Sequence, residues 1–340
     1  MQHILLTLEY PPQKGGIARY LEAVVKCFPQ SFEVWSSRLL THRAWPAWLP
    51  ALLRTIRLPG KTTLWVSHVH PMGSVAFITR LFRRVSYIVI LHGMDFRLGT
   101  RNAWKRWLTR RILRGARLVV CNSETLAEEI RQFDNSCAVL PVRPTLPVSM
   151  EPLLSHPVSA AMSAPCRLLT VSRLVARKNH GRILEALVEL PDVTYTIVGE
   201  GPERASLEKQ ARELGVSSRV HFLTPEDDRA LLDVWRSADI FTFIPSSTTQ
   251  DVEGFGIVYL EAGAAGLPII ASNEKAIGEA VSPDGAIHVP SQDTRALVDA
   301  IQELSCDPER RRKMGEANRA FVQKGFLKER LYEQLSPYVL

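Results

Sequence analysis

Short apolar runs alternate with helical patterns along most of the chain, and one proline-rich stretch interrupts them. Before the break, His3–Leu8, Thr63–Val69, Tyr87–Leu91 and Leu118–Cys121 read as strands. Each is followed by helical spacing, at Ala18–Cys27, Ser74–Phe82, Trp104–Leu113 and Leu126–Gln132. After the break, Arg167–Val171, Thr194–Val198, Val220–Leu223, Ile240–Ile244 and Pro268–Ala271 read as strands. Gly181–Val188, Arg204–Leu214, Ala230–Ser237 and Val258–Ala265 read as the helices between them. Such alternation predicts an α/β fold of parallel, doubly wound sheets, with ligands beyond the carboxyl ends of the strands. Prolines at 141, 144, 147, 152, 157 and 165 make the interruption a linker, because each removes a backbone donor and restricts its predecessor. The expected domains are therefore 1–150 and 166–325, facing across a cleft. A C-terminal helix at 326–340 would pack back on the first.

At 340 residues, with 46% apolar and 23% charged residues, each half can bury a core of ordinary soluble composition. The first residues read as a strand rather than a leader, and no run approaches the ~18 apolar residues of a spanning helix. Five scattered cysteines form no CxxC, which argues against a disulfide framework or a zinc site and for reduced thiols in a cytoplasmic protein. The charge is uneven. Residues 1–150 carry 21 Lys and Arg against 8 Asp and Glu, whereas the net charge of the whole chain is only +7. A basic first half suggests an anionic partner, and an anionic membrane surface or a phosphorylated lipid fits better than nucleic acid, for which no binding motif is present.

The densest chemistry lies in Glu253–Gly263, EGFGIVYLEAG. A helix starting near Gly254 would aim unpaired N–H groups at an anion, and the glycines would let a ligand approach the backbone. Glu261 would then follow Glu253 by about two turns, on roughly the same face. A diphosphate at the helix start, with carboxylates to accept hydroxyl hydrogens, is what a nucleotide sugar needs. Gly15 and Gly16 precede another helix after the first strand. His92 ends the apolar strand Ile88–Leu91 beside Gly93, with Asp95 a second polar candidate. Arg173 and Lys178 share a strand-end loop, where a planar fork and a mobile point charge can hold a pyrophosphate. Gly199 and Gly201 end a further strand. His68 and His70 alternate on one strand without an apparent third metal ligand.

Taken together, these segments resemble the large retaining glycosyltransferase family 4, of GT-B fold with two Rossmann-like domains. The E-x7-E segment, the PP-x-x-GG-I loop at Pro11–Ile17, the His92-Gly93 pair, the Arg173/Lys178 loop and the G-x-G-P turn at Gly199–Pro202 carry the resemblance. Ser172 and Asn179 stand where the family usually has glycine. The resemblance implies that His92 touches the transferred hexose and that Arg173 and Lys178 hold the donor phosphates. It further implies that Glu253 accepts sugar hydroxyls and Glu261 the ribose hydroxyls. Gly15, Gly16, Gly199, Gly201, Leu223, Gly254, Phe255, Gly256 and Ile257 would line the donor site. The implied reaction moves a hexosyl group from a UDP- or GDP-sugar to a hydroxyl of a glycan or lipid-linked acceptor, in cell-surface polysaccharide or glycolipid synthesis. It needs no cofactor, and no metal if those charges suffice, since no Asp-x-Asp ends a strand. The alternatives are a sugar-nucleotide epimerase of the same fold and a non-catalytic nucleotide-binding module.

Two segments suggest peripheral attachment to the inner face of the cell membrane. Trp104, Trp107, Leu108 and Ile112 recur at helical spacing among Lys105, Arg106, Arg110 and Arg114, and Arg43–Arg57 holds Trp45, Trp48, Leu49, Leu52 and Leu53 between arginines. Packing of the same stripe on the sheet is the competing expectation.

Overall fold

The computed structural model describes residues 2–13, 15–29, 31–36, 48–59, 61–158, 165–246 and 254–339. The chain divides into two compact units, one of Met1–Thr145 with Lys328–Leu340 and one of Leu146–Leu327.

The first unit is a parallel sheet of β1 (Gln2–Leu6), β2 (Phe32–Trp35), β3 (Thr62–Ser67), β4 (Ser86–Leu91), β5 (Leu118–Cys121) and β6 (Val139–Pro141) in the order β2-β1-β3-β4-β5-β6. Its helices are α1 (Gly16–Cys27), α2 (Leu49–Thr55), α3 (Ser74–Phe82), α4 (Met94–Gly99), α5 (Ala103–Gly115) and α6 (Glu124–Phe133). β3, β4 and β5 are buried along nearly their whole length, which is why they read as continuous apolar runs rather than as alternation. In the second unit, β7 (Cys166–Val171), β8 (Val193–Val198), β9 (Val220–Leu223), β10 (Ile240–Phe243), β11 (Ile269–Ser272) and β12 (Ala286–Val289) pair in the order β12-β11-β10-β7-β8-β9. Around them lie α7 (His180–Ala186), α8 (Arg204–Glu213), α9 (Asp228–Ser237), α10 (Ile257–Ala265), α11 (Lys275–Gly278), α12 (Thr294–Cys306) and α13 (Pro308–Gly325).

Both sheets are doubly wound, and each reverses its strand order once, between β1 and β3 in the first unit and between β7 and β10 in the second. Chains leaving neighbouring strands there diverge to opposite faces, so a crevice opens at the carboxyl ends. The loops carrying Gly15 and His68 leave the first switch point, and those carrying Arg173 and Gly254 leave the second.

The linker expectation is corrected in part. Within Pro141–Pro165 a 3-10 helix forms at Val148–Ser155, and its Met150 and Leu153 are buried in the core of the second unit with Trp235 and Tyr259. The division therefore falls at Thr145, ahead of the expected break. The last helix, α14 (Lys328–Val339), belongs to the first unit, where it packs on α1 and stacks Tyr332 on Phe28 at 5.1 Å.

Candidate functional site

In the second unit, β7 leads into the loop Ser172–Asn179. Its backbone is held by Ser172 N–H to Val198 O (3.0 Å), Leu174 N–H to Glu200 O (2.8 Å) and Glu203 N–H to Leu174 O (3.1 Å). These contacts explain the two glycines at the end of β8. A Cβ on Gly199 (φ 139°) would lie 2.0 Å from Ser172 O, and one on Gly201 (φ 159°) 2.2 Å from Leu174 O. Both glycines thus seat the Arg173 loop. Gly199 N–H in turn donates to Leu223 O at the end of β9 (3.0 Å), and the Leu223 side chain is exposed.

Beneath this loop is a histidine that the motifs had not singled out. His180 is buried, with Nε2 3.0 Å from Ser172 Oγ and Nδ1 3.0 Å from Tyr195 Oη, while the Tyr195 hydroxyl donates to Thr170 Oγ1 (2.9 Å). Burial pushes its pKa down to about 4. The Ser172 that stands in place of glycine therefore begins a polar chain that runs inward through His180 and Tyr195. Asn179, the other departure, takes the left-handed conformation (φ 60°, ψ 31°) that asparagine tolerates best after glycine. Its amide donates to Ile244 O (3.2 Å) and Ser291 O (2.7 Å), tying the loop to the end of β10.

On this support stand the two cations. The Arg173 side chain is exposed and makes no hydrogen bond or ion pair among the described residues. Lys178 is buried, its ammonium 4.8 Å from the Phe243 ring centroid. The loop after β10 resumes at Gly254, and the expected helix start is corrected: α10 begins at Ile257, with Gly256 as a left-handed N-cap (φ 76°, ψ 71°). Phe255 is buried against Phe326 at 5.8 Å and anchors the turn. Glu261, one turn into α10, is 0% exposed, and the helix is apolar on every other side from Tyr259 to Ala265. Glu253 lies outside the described residues, so the pairing of the two carboxylates on one helix face is not described; α10 as it stands contains only Glu261.

In the first unit, Gly15 (φ 158°, ψ 161°) caps α1, and a Cβ there would meet nothing within 4 Å, so its backbone is open to approach; Gly16 is exposed. His92 follows β4 and is nearly buried. Its N–H donates to Asp95 Oδ1 (2.9 Å), its Nε2 lies 3.0 Å from Ser67 Oγ, and Tyr20 meets it edge-on at 5.9 Å. Burial, with the charge of His68 beside it, pushes the His92 pKa down to about 3. Burial likewise raises the Asp95 carboxyl, against the opposing influence of His68 and backbone N–H groups. His68 and His70 diverge. His68 joins the His92 group, whereas His70 bonds Ser74 Oγ (2.8 Å) and Thr109 Oγ1 (3.1 Å) as a structural pin.

Anions bind where cations and helix N-termini converge, and a neutral imidazole can exchange hydrogen bonds with sugar hydroxyls. A family model for group 1 glycosyl transferases matches residues 157–321, and one for glycosyl transferase 4-like domains matches residues 2–143.

The chain belongs to the group 1 glycosyltransferases.

This glycosyltransferase is 29% identical, over 93% of its length and 92% of the relative's, to a GDP-mannose-dependent alpha-(1-6)-phosphatidylinositol monomannoside mannosyltransferase of Mycolicibacterium smegmatis. It is 26% identical, over 98% and 96%, to the monoacylated-substrate counterpart of Corynebacterium glutamicum. In fold it is similar to sucrose-phosphate synthase of Thermosynechococcus elongatus (TM-score 0.82, 20% identity, covering 99% and 98%). It is also similar to Anabaena HepE solved with UDP (TM-score 0.77, 17% identity, 99% of each).

The tryptophan stripe of the glycosyltransferase splits in the structure. Ile112 and Leu113 are buried under the sheet, whereas Trp104 and Trp107 are 64% and 50% exposed and stack on one another at 5.3 Å. Leu53 of α2 and Leu81 and Phe82 at the end of α3 are exposed as well, beside Arg54, Arg83 and Arg84. Trp45 lies outside the described residues. No helix among the described residues is long and apolar enough to cross a membrane.

Proposed function

We propose that this glycosyltransferase transfers a mannosyl group from GDP-mannose to a hydroxyl of a lipid-linked acceptor, with retention of anomeric configuration and without a metal. The observation that carries this reading is the near full-length similarity to GDP-mannose-dependent phosphatidylinositol mannoside mannosyltransferases. The topology of the second unit supports it, since Arg173 and Lys178 follow β7 and α10 follows β10, the two strands at the switch point. Breaking the anomeric C–O bond builds positive charge on the sugar ring and negative charge on the leaving diphosphate. Arg173, Lys178 and the helix N-termini at Gly16 and Ile257 stabilise the leaving group, a preorganised electrostatic role. His92 addresses the hexose, Glu253 its hydroxyls and Glu261 the ribose. A thermal-shift panel of GDP, UDP and their hexose conjugates tests the donor. A ligand at 100 Kd stabilises by about 2.7 kcal/mol, so stabilisation by UDP-sugars alone would reverse the choice of base. Release of free sugar or its epimer in place of transfer would favour the epimerase.

A lipid-linked acceptor would bring the enzyme to a lipid surface, and the composition of the first unit suits an anionic one. Its 21 basic residues against 8 acidic within residues 1–150 complement acidic headgroups, and Trp104 and Trp107 have the amphipathic rings of the headgroup boundary. Each basic residue near such a surface contributes about 1 kcal/mol. Co-sedimentation with anionic vesicles at low salt, weakened by high salt and by Trp104→Ala with Trp107→Ala, is the expected result. Retention in the supernatant with anionic vesicles at low salt would point to a soluble acceptor.

A further inference from the structure

His68 occupies a backbone position that an L-residue rarely takes, φ 78° and ψ 140°, in the region that is nearly glycine-only. Such strain persists where the surroundings over-determine it, and here they do. The His68 N–H donates to Ile90 O (3.1 Å) and its carbonyl accepts from Gly73 N–H (3.1 Å), so the imidazole is delivered to a defined spot at the β1/β3 switch point. There its Nδ1 lies 3.1 Å from Ser67 Oγ and its Nε2 3.6 Å from Glu9 Oε1. The same Ser67 hydroxyl lies 3.0 Å from His92 Nε2. A single chain therefore runs Glu9–His68–Ser67–His92.

A hydroxyl has one hydrogen, so between two imidazole nitrogens it donates to one and accepts from the other. The Glu9 carboxylate only accepts, which favours a proton on His68 Nε2. If His68 is charged, its Nδ1–H donates to Ser67, Ser67 donates to His92 Nε2, and a neutral His92 must carry its proton on Nδ1. If His68 is neutral with its proton on Nε2, the chain reverses and His92 Nδ1 becomes a bare acceptor. Which nitrogen of a histidine is protonated is set by the bond its other nitrogen makes. On the reading that His92 meets the transferred sugar, we propose that His68 is a positioning residue that, through Ser67, holds His92 as a hydrogen-bond donor at Nδ1.

The groups facing His68 agree with the first state. Burial lowers its pKa, but the Glu9 carboxylate that accepts from its Nε2–H, the charges of Asp95 and Glu9 and the backbone at Ser67 more than offset this, and the pKa is raised. Tyr20, the remaining titratable group against His92, is buried and held protonated. His68 thus keeps its charge at pH values where a free imidazole has begun to lose it, and donation by His92 is lost as pH rises through the His68 pKa.

Long-range proton–nitrogen NMR on the 15N-histidine-labelled enzyme near pH 6 reads the tautomers directly. The expected spectrum has His92 neutral with its proton on Nδ1 and His68 doubly protonated. A His92 protonated on Nε2 overturns the proposal whatever the kinetics show. In kinetics, Ser67→Ala and His68→Leu should each lower kcat by about 10–100-fold, the range for partners that orient a functional histidine. Donor KM should stay unchanged, and the double variant should be no worse than either single one, because both break one chain. His68→Asn keeps an amide donor at the Nδ1 place. It should restore kcat to within several-fold and remove its alkaline limb, a change that a packing role would not produce. Persistence of that limb in His68→Asn, or multiplicative losses in the double variant, overturns the proposal. An active His92→Ala enzyme with the expected tautomer in the wild type would refute the reading of His92 as a sugar-contacting group and leave the positioning chain intact.

Discussion

Each unit buries a histidine beside a serine near its switch point, and the two histidines end differently. His180 is bonded at both ring nitrogens, to Ser172 and Tyr195. His92 is bonded through the ring at Nε2 alone, to Ser67. A buried imidazole with both nitrogens satisfied is part of the frame, whereas one with a nitrogen left over retains a bond for a ligand. The surrounding charge divides in the same way. The second unit sets Arg173 and Lys178, the proposed partners of the diphosphate, on a loop braced by His180, and the first sets a neutral imidazole, the proposed partner of the hexose, at the end of β4.

The largest expected effect tests the bracing. Gly201→Ala adds a Cβ 2.2 Å from Leu174 O, and strain plus overpacking should destabilise by about 2–6 kcal/mol. Gly15→Ala meets nothing within 4 Å and should cost only the backbone strain of about 1–3 kcal/mol. Melting curves decide between them, and equal shifts would dissolve the distinction between a seat for a loop and a seat for a ligand.

Next is the clamp itself. Arg173→Ala should lower kcat/KM by about 2–4 kcal/mol, the range for loss of one preorganised donor. Arg173→Lys should fail too, because a fork is replaced by a point charge. Near-normal kinetics in either variant would move the diphosphate elsewhere.

The buried histidines also make a pH statement. His180 has its pKa pushed down to about 4, below an unfolded value of about 6.5. Between those values the unfolded chain binds the proton and the folded one does not. Stability is therefore intact above pH ~6.5 and falls by about 3 kcal/mol as pH drops to ~4. His92, at about 3, adds a loss of the same sign. Denaturant titrations across this window should show the decline, reduced in His180→Gln; flat stability would mean that the imidazole is solvated.

The smallest expected effect separates the carboxylates. Glu261→Gln should weaken GDP itself by about 1.5–3 kcal/mol, the worth of a hydrogen bond to a charged group. Glu253→Gln should spare GDP and lower transfer. Calorimetry with the free diphosphate is the measurement, and equal losses would merge the two roles.

Much of this was legible in the sequence because it is local. Apolar runs and helical spacing give parallel strands and their helices, the order of elements places Arg173, Lys178 and His92 in strand-end loops, and glycines mark the turns. Contacts that depend on register were not legible. Ser67 pairs with Ile90 across β3 and β4, and only that register carries its hydroxyl to His92, a residue 25 positions away. From the sequence, His68 and His70 were an incomplete metal pair; backbone geometry sends one to Ser67 and the other to Thr109. The 3-10 helix at Val148–Ser155, hidden among prolines, rests on distant burial that no periodicity encodes. Spacing along the chain decided which residues stand at the ends of strands, because period and turn chemistry act within a few residues. Tertiary structure alone decided which of their nitrogens, hydroxyls and glycines meet, because those contacts arise from sheet register and packing between segments far apart in the chain.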